Sequence, residues 1–364
     1  MSPLRVWRSW QKLRNTCAAW ACRSGTSIAA AFLCLPLLAT AHETLPAALR
    51  MDETAAGVFS LVWQLPATQG SAPDMQPVLP DTCKDLGVRV VSNLPGAQLW
   101  RWQARCVEGL RGQRISIAGQ ENYLLDAVVR MGLLDGSVMT RVSRPRAPTV
   151  QLDARQQGVP DAQGFFTLGV EHILVGLDHL LFVFCLMLWV RDWWSLARTI
   201  TGFTVGHSIT LALASLGLVQ VPGPPIEACI ALSILFLAVE LAHRGPRSAV
   251  RLAGQRPWVV AAVFGLLHGF GFAGALREVG LPADGLGMAL LMFNLGVETG
   301  QLAFVAAVLA LAEALYWLGR KHASRKPHWA QVGEQSAVYG AGAVSAFWLL
   351  QRLFVMVAAG QTTP

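Results

Sequence analysis

The sequence predicts a signal peptide, then a small all-β extracytoplasmic domain, then an all-α bundle of six transmembrane helices. Three observations predict it. Of 364 residues, 53% are hydrophobic and only 14% charged, against about a quarter charged in soluble domains. The deficit is concentrated in long apolar segments after Gly164, whereas the stretch before them alternates apolar and polar residues. A basic leader precedes both.

Residues 1–41 read as the signal peptide. Arg5, Arg8, Lys12, Arg14 and Arg23 precede an apolar core from Ile28 to Leu38, and Ala39-Thr40-Ala41 supplies small residues for cleavage. The core is too short for a comfortable span. Cleavage after Ala41 leaves His42 at the N-terminus, where a free amine and an imidazole together form a possible metal chelate. The net charge of +7 falls to +2 without the leader, so nothing supports a nucleic-acid partner.

Residues 42–143 form the exported domain. The runs 57–63, 87–91, 115–117 and 122–129 alternate with period two and are bounded by Gly, Pro and Asn, which predicts about seven antiparallel strands in a β-sandwich. Cys83 and Cys106 are the only cysteines outside the leader and the apolar segments. In an oxidising compartment such a pair forms a disulfide. The domain shows no nucleophile–base pair, phosphate loop or metal cluster. Residues 144–163 are polar and contain proline, which reads as a linker.

The membrane domain spans 164–358, with spans near 166–190, 199–218, 226–243, 257–276, 286–315 and 336–358 and a tail over 359–364. An exported head makes the first span run inward. The loops 191–198, 244–256 and 316–335 then face the cytoplasm and carry the bulk of the Arg and Lys, whereas 219–225 and 277–285 hold only Arg277. Head and C-terminus thus lie outside a bacterial-type inner membrane, with the lipid bilayer as the first partner.

Ionisable groups at membrane depth cost a few kcal/mol each and mark function. The first span carries Glu171, His172, Asp178 and His179, the second Thr204, His207, Ser208 and Thr210, and the third Glu227, Glu240 and His243. His268 lies in the fourth, and Asn294, Glu298 and Gln301 in the fifth. His179, His207, His268, Asn294 and Glu298 fall within about two turns of the midplane at 1.5 Å per residue. Imidazole and carboxylate together suit a borderline dication: nickel, cobalt, copper or zinc. His172 and His179 are seven residues apart, about 10.5 Å along a straight helix. Either Gly176 distorts the helix or the two mark successive stations on a path, and two stations is the expectation. Asp178 is expected to orient a histidine of a neighbouring helix. Ser208, Thr204 and Thr210 also fit routine bonding to helix carbonyls, and Gly265, Gly269, Gly271 and Gly274 fit close helix packing. Glu227, Glu313 and His243 are expected to be solvated at helix ends.

These residues resemble the HupE/UreJ family of membrane proteins. The resemblance rests on Phe166–Leu181 (FTLGVEHILVGLDHLL), Gly206-His207-Ser208, the ALSI run at 231–234, His268-Gly269, and Phe293-Asn294-Leu295-Gly296-Val297-Glu298. The head is similar to that of the family's longer branch. The family is associated with nickel or cobalt uptake. The resemblance implies His172, Asp178, His179, His207, His268 and Glu298 as metal-path residues, supported by Glu171, Ser208, Glu240 and Asn294. Two positions depart from the pattern. Phe272 stands where shorter permeases carry a second His-Gly, and Leu241 follows Glu240 where Asn is common.

The expectation is therefore a divalent-metal permease, not an enzyme, with the metal as cargo and no permanently bound cofactor. One alternative is a metal-dependent intramembrane hydrolase assisted by Ser208 or Glu298. Another is an assembly or sensing partner of a metalloprotein, whose head binds an exported protein.

Overall fold

The computed structural model describes residues 46–67, 71–94, 97–123, 125–152, 161–190, 192–243, 256–279, 283–320 and 328–360. The expected leader and His42 lie outside the described residues, as do Arg191, Arg244, Arg247 and Arg251 of the expected cytoplasmic loops.

Among the described residues the head contains nine strands: β1 (Ala47–Ala55), β2 (Val58–Pro66), β3 (Gln76–Val78), β4 (Cys83–Leu94), β5 (Ala97–Cys106), β6 (Arg114–Ala118), β7 (Ala127–Gly132), β8 (Val138–Ser143) and β9 (Thr149–Gln151). They form a six-stranded sheet, β4-β5-β2-β1-β7-β8, and a three-stranded sheet, β3-β6-β9. The expectation of about seven antiparallel strands needs two corrections. Short β3 and β9 complete the second sheet, and β1 pairs with β7 in parallel. β9 lies inside the stretch expected to be linker, where Val150 sits opposite Ile115. The alternation of β2 explains the core: Phe59, Leu61, Trp63 and Leu65 all point inward and are buried. Trp63 Nε1 donates to the Met75 carbonyl at 3.0 Å, which satisfies its one polar atom. Cys83 and Cys106 are register partners on β4 and β5 and are joined by a disulfide.

Seven helices follow among the described residues: α1 (Ala162–Val175), α2 (Leu177–Trp189), α3 (Trp193–Ser215), α4 (Gly223–Ala242), α5 (Pro257–Val279), α6 (Ala283–Arg320) and α7 (His328–Gly360). Asp161 and Asp192 cap α1 and α3 by accepting from Gly164 N and Ser195 N, both at 2.8 Å. The first expected span is two helices bent by 73°. Among the described residues, three helices are long and apolar enough to cross a membrane (α4, α6 and α7), or four if α1 and α2 count as one broken span.

Glycines set how the helices pair. A Cβ on Gly206 would fall on the Ala262 carbonyl oxygen, and one on Gly265 on that of Phe203. Gly169 and Gly296 make the same reciprocal contact between α1 and α6, on Phe293 and Phe166. Gly202 with Gly206, Gly265 with Gly269, and Gly296 with Gly300 are each four residues apart, the small-residue spacing that lets backbones approach in lipid. The contacts rise in register, so α3 runs parallel to α5 and α1 parallel to α6. On α4 and α7, Glu227 meets Arg352 and Ala238 meets Gly342, so that pair is antiparallel.

The outer face of the six-stranded sheet caps the bundle. Ala48, Val128 and Val142 share an apolar cluster with Phe165, Leu211 and Leu290. The start of α1, the end of α3 and the start of α6 therefore lie on the head side.

Gly206→Ala pushes a methyl group into backbone that cannot yield. It is expected to cost about 1–3 kcal/mol, read as a fall of several degrees in the thermal midpoint of the detergent-solubilised chain. Gly287 faces open space, so Gly287→Ala should leave the midpoint unchanged or raise it.

Candidate metal site

Gly176 makes the site possible. Its backbone (φ −69°, ψ 95°) is extended at ψ, so α1 ends there and α2 begins. A side chain does not fit at this position. A Cβ would stand 2.9 Å from His179 Nδ1 and from the His172 carbonyl oxygen, and 3.2 Å from Asp178 Oδ1. The last turn of α1 carries His172 and the first turn of α2 carries Asp178 and His179. The bend brings the two imidazole centroids to 4.8 Å. The expectation of two stations 10.5 Å apart is thereby corrected, and the distortion at Gly176 is what the structure adopts.

Two further helices complete the cluster. His207 comes from α3, with ring centroids 6.1 Å from both His172 and His179. His268 comes from α5, 4.9 Å from His179. Two ligand groups result, His172–His179–His207 and Asp178–His179–His268, each with one donor atom per residue within 4.8 Å of the others. His179 belongs to both, and all five side chains are buried. Phe182, Phe203 and Phe293 wall the cluster, with Phe203 and Phe293 stacked on His207 and Phe182 5.2 Å from His268.

Neighbouring groups decide which ring nitrogen keeps its lone pair. Asp178 Oδ1 lies 3.0 Å from His179 Nδ1. A carboxylate only accepts, so the proton sits on Nδ1 and the lone pair on Nε2. Asp178 thus serves its own neighbour, not a histidine of another helix as expected. Asn294 Nδ2 donates to the Leu290 carbonyl at 2.8 Å, which turns Oδ1 toward His207 Nδ1 at 3.3 Å. His207 Nε2 is left buried with no hydrogen-bond partner among the described residues. Ser233 donates to Ile230 at 2.6 Å, so its oxygen accepts from His268 Nε2 at 3.2 Å. His268 Nδ1 is likewise buried and unpartnered. Three outer contacts therefore present three neutral imidazoles with a lone pair each, the form a metal requires.

The remaining expected residues lie elsewhere. Glu298 belongs to neither group, and its Oε1 accepts from Thr201 at 2.7 Å. Glu240 is half-buried on α4 and outside both groups. Ser208 donates to the Thr204 carbonyl at 2.6 Å, the routine helix contact. Glu171 lies close enough to Asp126, at the foot of β7, for the two carboxyls to influence each other. Burial, then the Glu171 carboxyl, push Asp126 up to about 8, against the pull of Arg144. Glu227, expected to be solvated, keeps its side chain 38% exposed while bonding Arg352 at 2.7 Å. Sequence reasoning missed Ser233 and Asp126. Ser233 lies in the ALSI run, where a lone hydroxyl amid apolar residues was the available signal. Asp126 gives no signal before the fold sets it against α1.

The HupE / UreJ protein family matches residues 149–352, more than half of the chain. The chain belongs to the HupE/UreJ family. The match takes in α1–α6 with every member of the cluster, while most of the head lies before it. No curated protein matches the chain. HupE/UreJ proteins are a membrane, transporter-type family associated with nickel and cobalt transport.

Gly176→Ala should displace His179 and weaken Co²⁺ binding at least tenfold, measured by titration of the purified chain. A second expectation concerns pH. The folded state keeps a proton on Asp126 that the unfolded chain releases near pH 4, so this contact favours folding at low pH. The contribution is lost as pH rises through about 8. The thermal midpoint should fall between pH 5 and 8, and Asp126→Asn should flatten that slope.

Proposed function

We propose that this HupE/UreJ protein is a permease for a divalent transition cation of the nickel and cobalt type, and that the cation passes through the His/Asp cluster. The observation that carries the reading is the pair of ligand groups hinged on His179 at a broken helix. Discontinuous membrane helices commonly hold transported ions at the break.

The ligand set favours a borderline dication through imidazole nitrogen with one carboxylate. Ligands 2.0–2.1 Å from a tetrahedral ion stand about 3.3 Å apart, whereas these atoms spread over as much as 4.8 Å. The groups must close on the cation, which suits cargo that is released again. Because His179 is common to both groups, a cation held by His172, His179 and His207 reaches Asp178 and His268 by exchanging two ligands while keeping one. Copper and zinc fit the same donors, and uptake across the four ions ranks them.

In this reading six spans cross an inner membrane, α1 with α2 forming the first. Their directions follow from the helix pairs: α3 and α5 run together, α1 and α6 oppose them, and α7 opposes α4. Head and C-terminus face the extracytoplasmic side, in keeping with the Arg- and Lys-rich loops opposite. Inward movement of a dication down the membrane potential is worth about 4.6 kcal/mol per 100 mV, which serves a chain with no nucleotide-binding loop. A hydrolytic role has little support, because Ser208 and Glu298 are engaged by Thr204 and Thr201.

His179→Ala and Asp178→Ala should each lower Ni²⁺ or Co²⁺ uptake into proteoliposomes by more than tenfold at equal insertion. Uptake equal to the unaltered protein overturns the permease reading.

A further inference from the structure

The outer face of the six-stranded sheet has two halves. Ala48, Val128 and Val142, on β1, β7 and β8, seat on the starts of α1 and α6 and the end of α3. Because this face caps helix ends and not helix sides, it looks along the helix axes toward the bilayer surface. Its other half, on β2, β5 and β4, continues the same face. Register sets Ala48 beside Gln64 and Leu99, and Arg50 beside Val62, Arg101 and Val90. Arg101, Gln103 and Arg105 are exposed, so the bundle does not cover them.

The two halves differ in charge. On the seated half Asp52 bonds both Arg50 and Arg130. On the uncovered half the positions of this face hold Lys84, Arg101 and Arg105 and no Asp or Glu. None of the three cations has an acid partner among the described residues. Asp85, the acid of β4, stands opposite buried Ala104 on the other face and bonds Arg89. Leu86, Val90 and Leu94 share the cationic face and are exposed. A face built only for water mixes both signs and shows few large apolar side chains. Cations interspersed with leucine and valine at membrane level fit lipid phosphates and the carbon chains just beneath them. The same charges repel a dication, so this face does not suit collection of the cargo.

We propose that the β2–β5–β4 half of this face docks on the anionic phospholipid surface beside the bundle, with Lys84, Arg101 and Arg105 on lipid phosphates. The bundle then holds one half of the cap and anionic lipid the other. The surface lies wholly before residue 149, where the family match begins. It rests on the bundle spanning the membrane with the head at one surface, and not on the identity of the cargo.

The test uses the full-length protein. Gln103→Cys, between Arg101 and Arg105, is labelled with a bimane fluorophore, and the unaltered protein treated in the same way gives the background from Cys229. Each is reconstituted in vesicles of phosphatidylcholine, or of phosphatidylcholine with about one-third phosphatidylglycerol, containing a lipid that carries a quenching spin label on its headgroup. Quenching is expected to be at least threefold stronger with phosphatidylglycerol, and to fall to the phosphatidylcholine level when Arg101→Glu and Arg105→Glu are combined. Lys84→Glu, on the edge strand, carries the charge reversal if the double variant does not insert. Gln76→Cys lies exposed on β3, in the sheet that packs against the far side, and its label should stay unquenched in both vesicles. Equal quenching at Gln103→Cys in the two vesicles overturns the proposal, as does quenching that charge reversal leaves unmoved. A label that stays in water in both also overturns it, and leaves the face to an acidic exported protein.

Discussion

On an unbroken helix His172 and His179 stand about 10.5 Å apart along the axis, too far for one ion to touch both. The break at Gly176 bends α1 against α2 by 73° and brings the rings to 4.8 Å. Every feature of the site depends on this. The bend turns the first residues of α2 inward, sets Asp178 against His179, and makes His179 common to both ligand groups. An acid in the first turn also faces the positive end of the α2 dipole. The break survives because no side chain occupies position 176, where a Cβ would crowd three atoms of the site at once.

The glycines of the flanking helices extend the same principle. Two helix pairs, α1 with α6 and α3 with α5, approach backbone to backbone through reciprocal glycine contacts. Close approach puts His207 beside Gly206 and His268 beside Gly269 at short range from a common centre. Without it, imidazoles on α3 and α5 could not reach the histidines of α1 and α2. Polar anchoring then finishes what packing begins: Asn294, Ser233 and Asp178, from three different helices, each hold one imidazole by the nitrogen that is not needed for metal. The cluster is thus specified by small residues and by single hydrogen bonds, with aromatic rings sealing it.

Much of this was legible from sequence. Five histidines in apolar segments signalled an intramembrane site, and four of them, His172, His179, His207 and His268, meet in the structure. The β2 alternation gave its core face directly. Other parts were not legible, for physical reasons. A glycine in an apolar run fits a continuous helix as well as a broken one, so the bend at Gly176 appears only when tertiary packing selects it. Glu298 is four residues from Asn294 and shares its helix face, yet its carboxylate settles on Thr201, because the side-chain partner on α3 decides its place. β9 consists of three residues in a polar, proline-containing stretch and forms only because β6 offers an edge. The pairing of Asp126 with Glu171 joins residues from two domains, and no local pattern announces it.

The central claim is that imidazoles from separate helices, those of His172, His179 and His207 in one of the two ligand groups, hold the cation. X-ray absorption of the Ni²⁺-loaded, full-length protein tests it most directly. The account predicts nitrogen-rich coordination with the outer-shell scattering of at least two imidazoles, reduced when His207 is replaced by Ala. Coordination by oxygen alone, or a spectrum indifferent to His207, would contradict it.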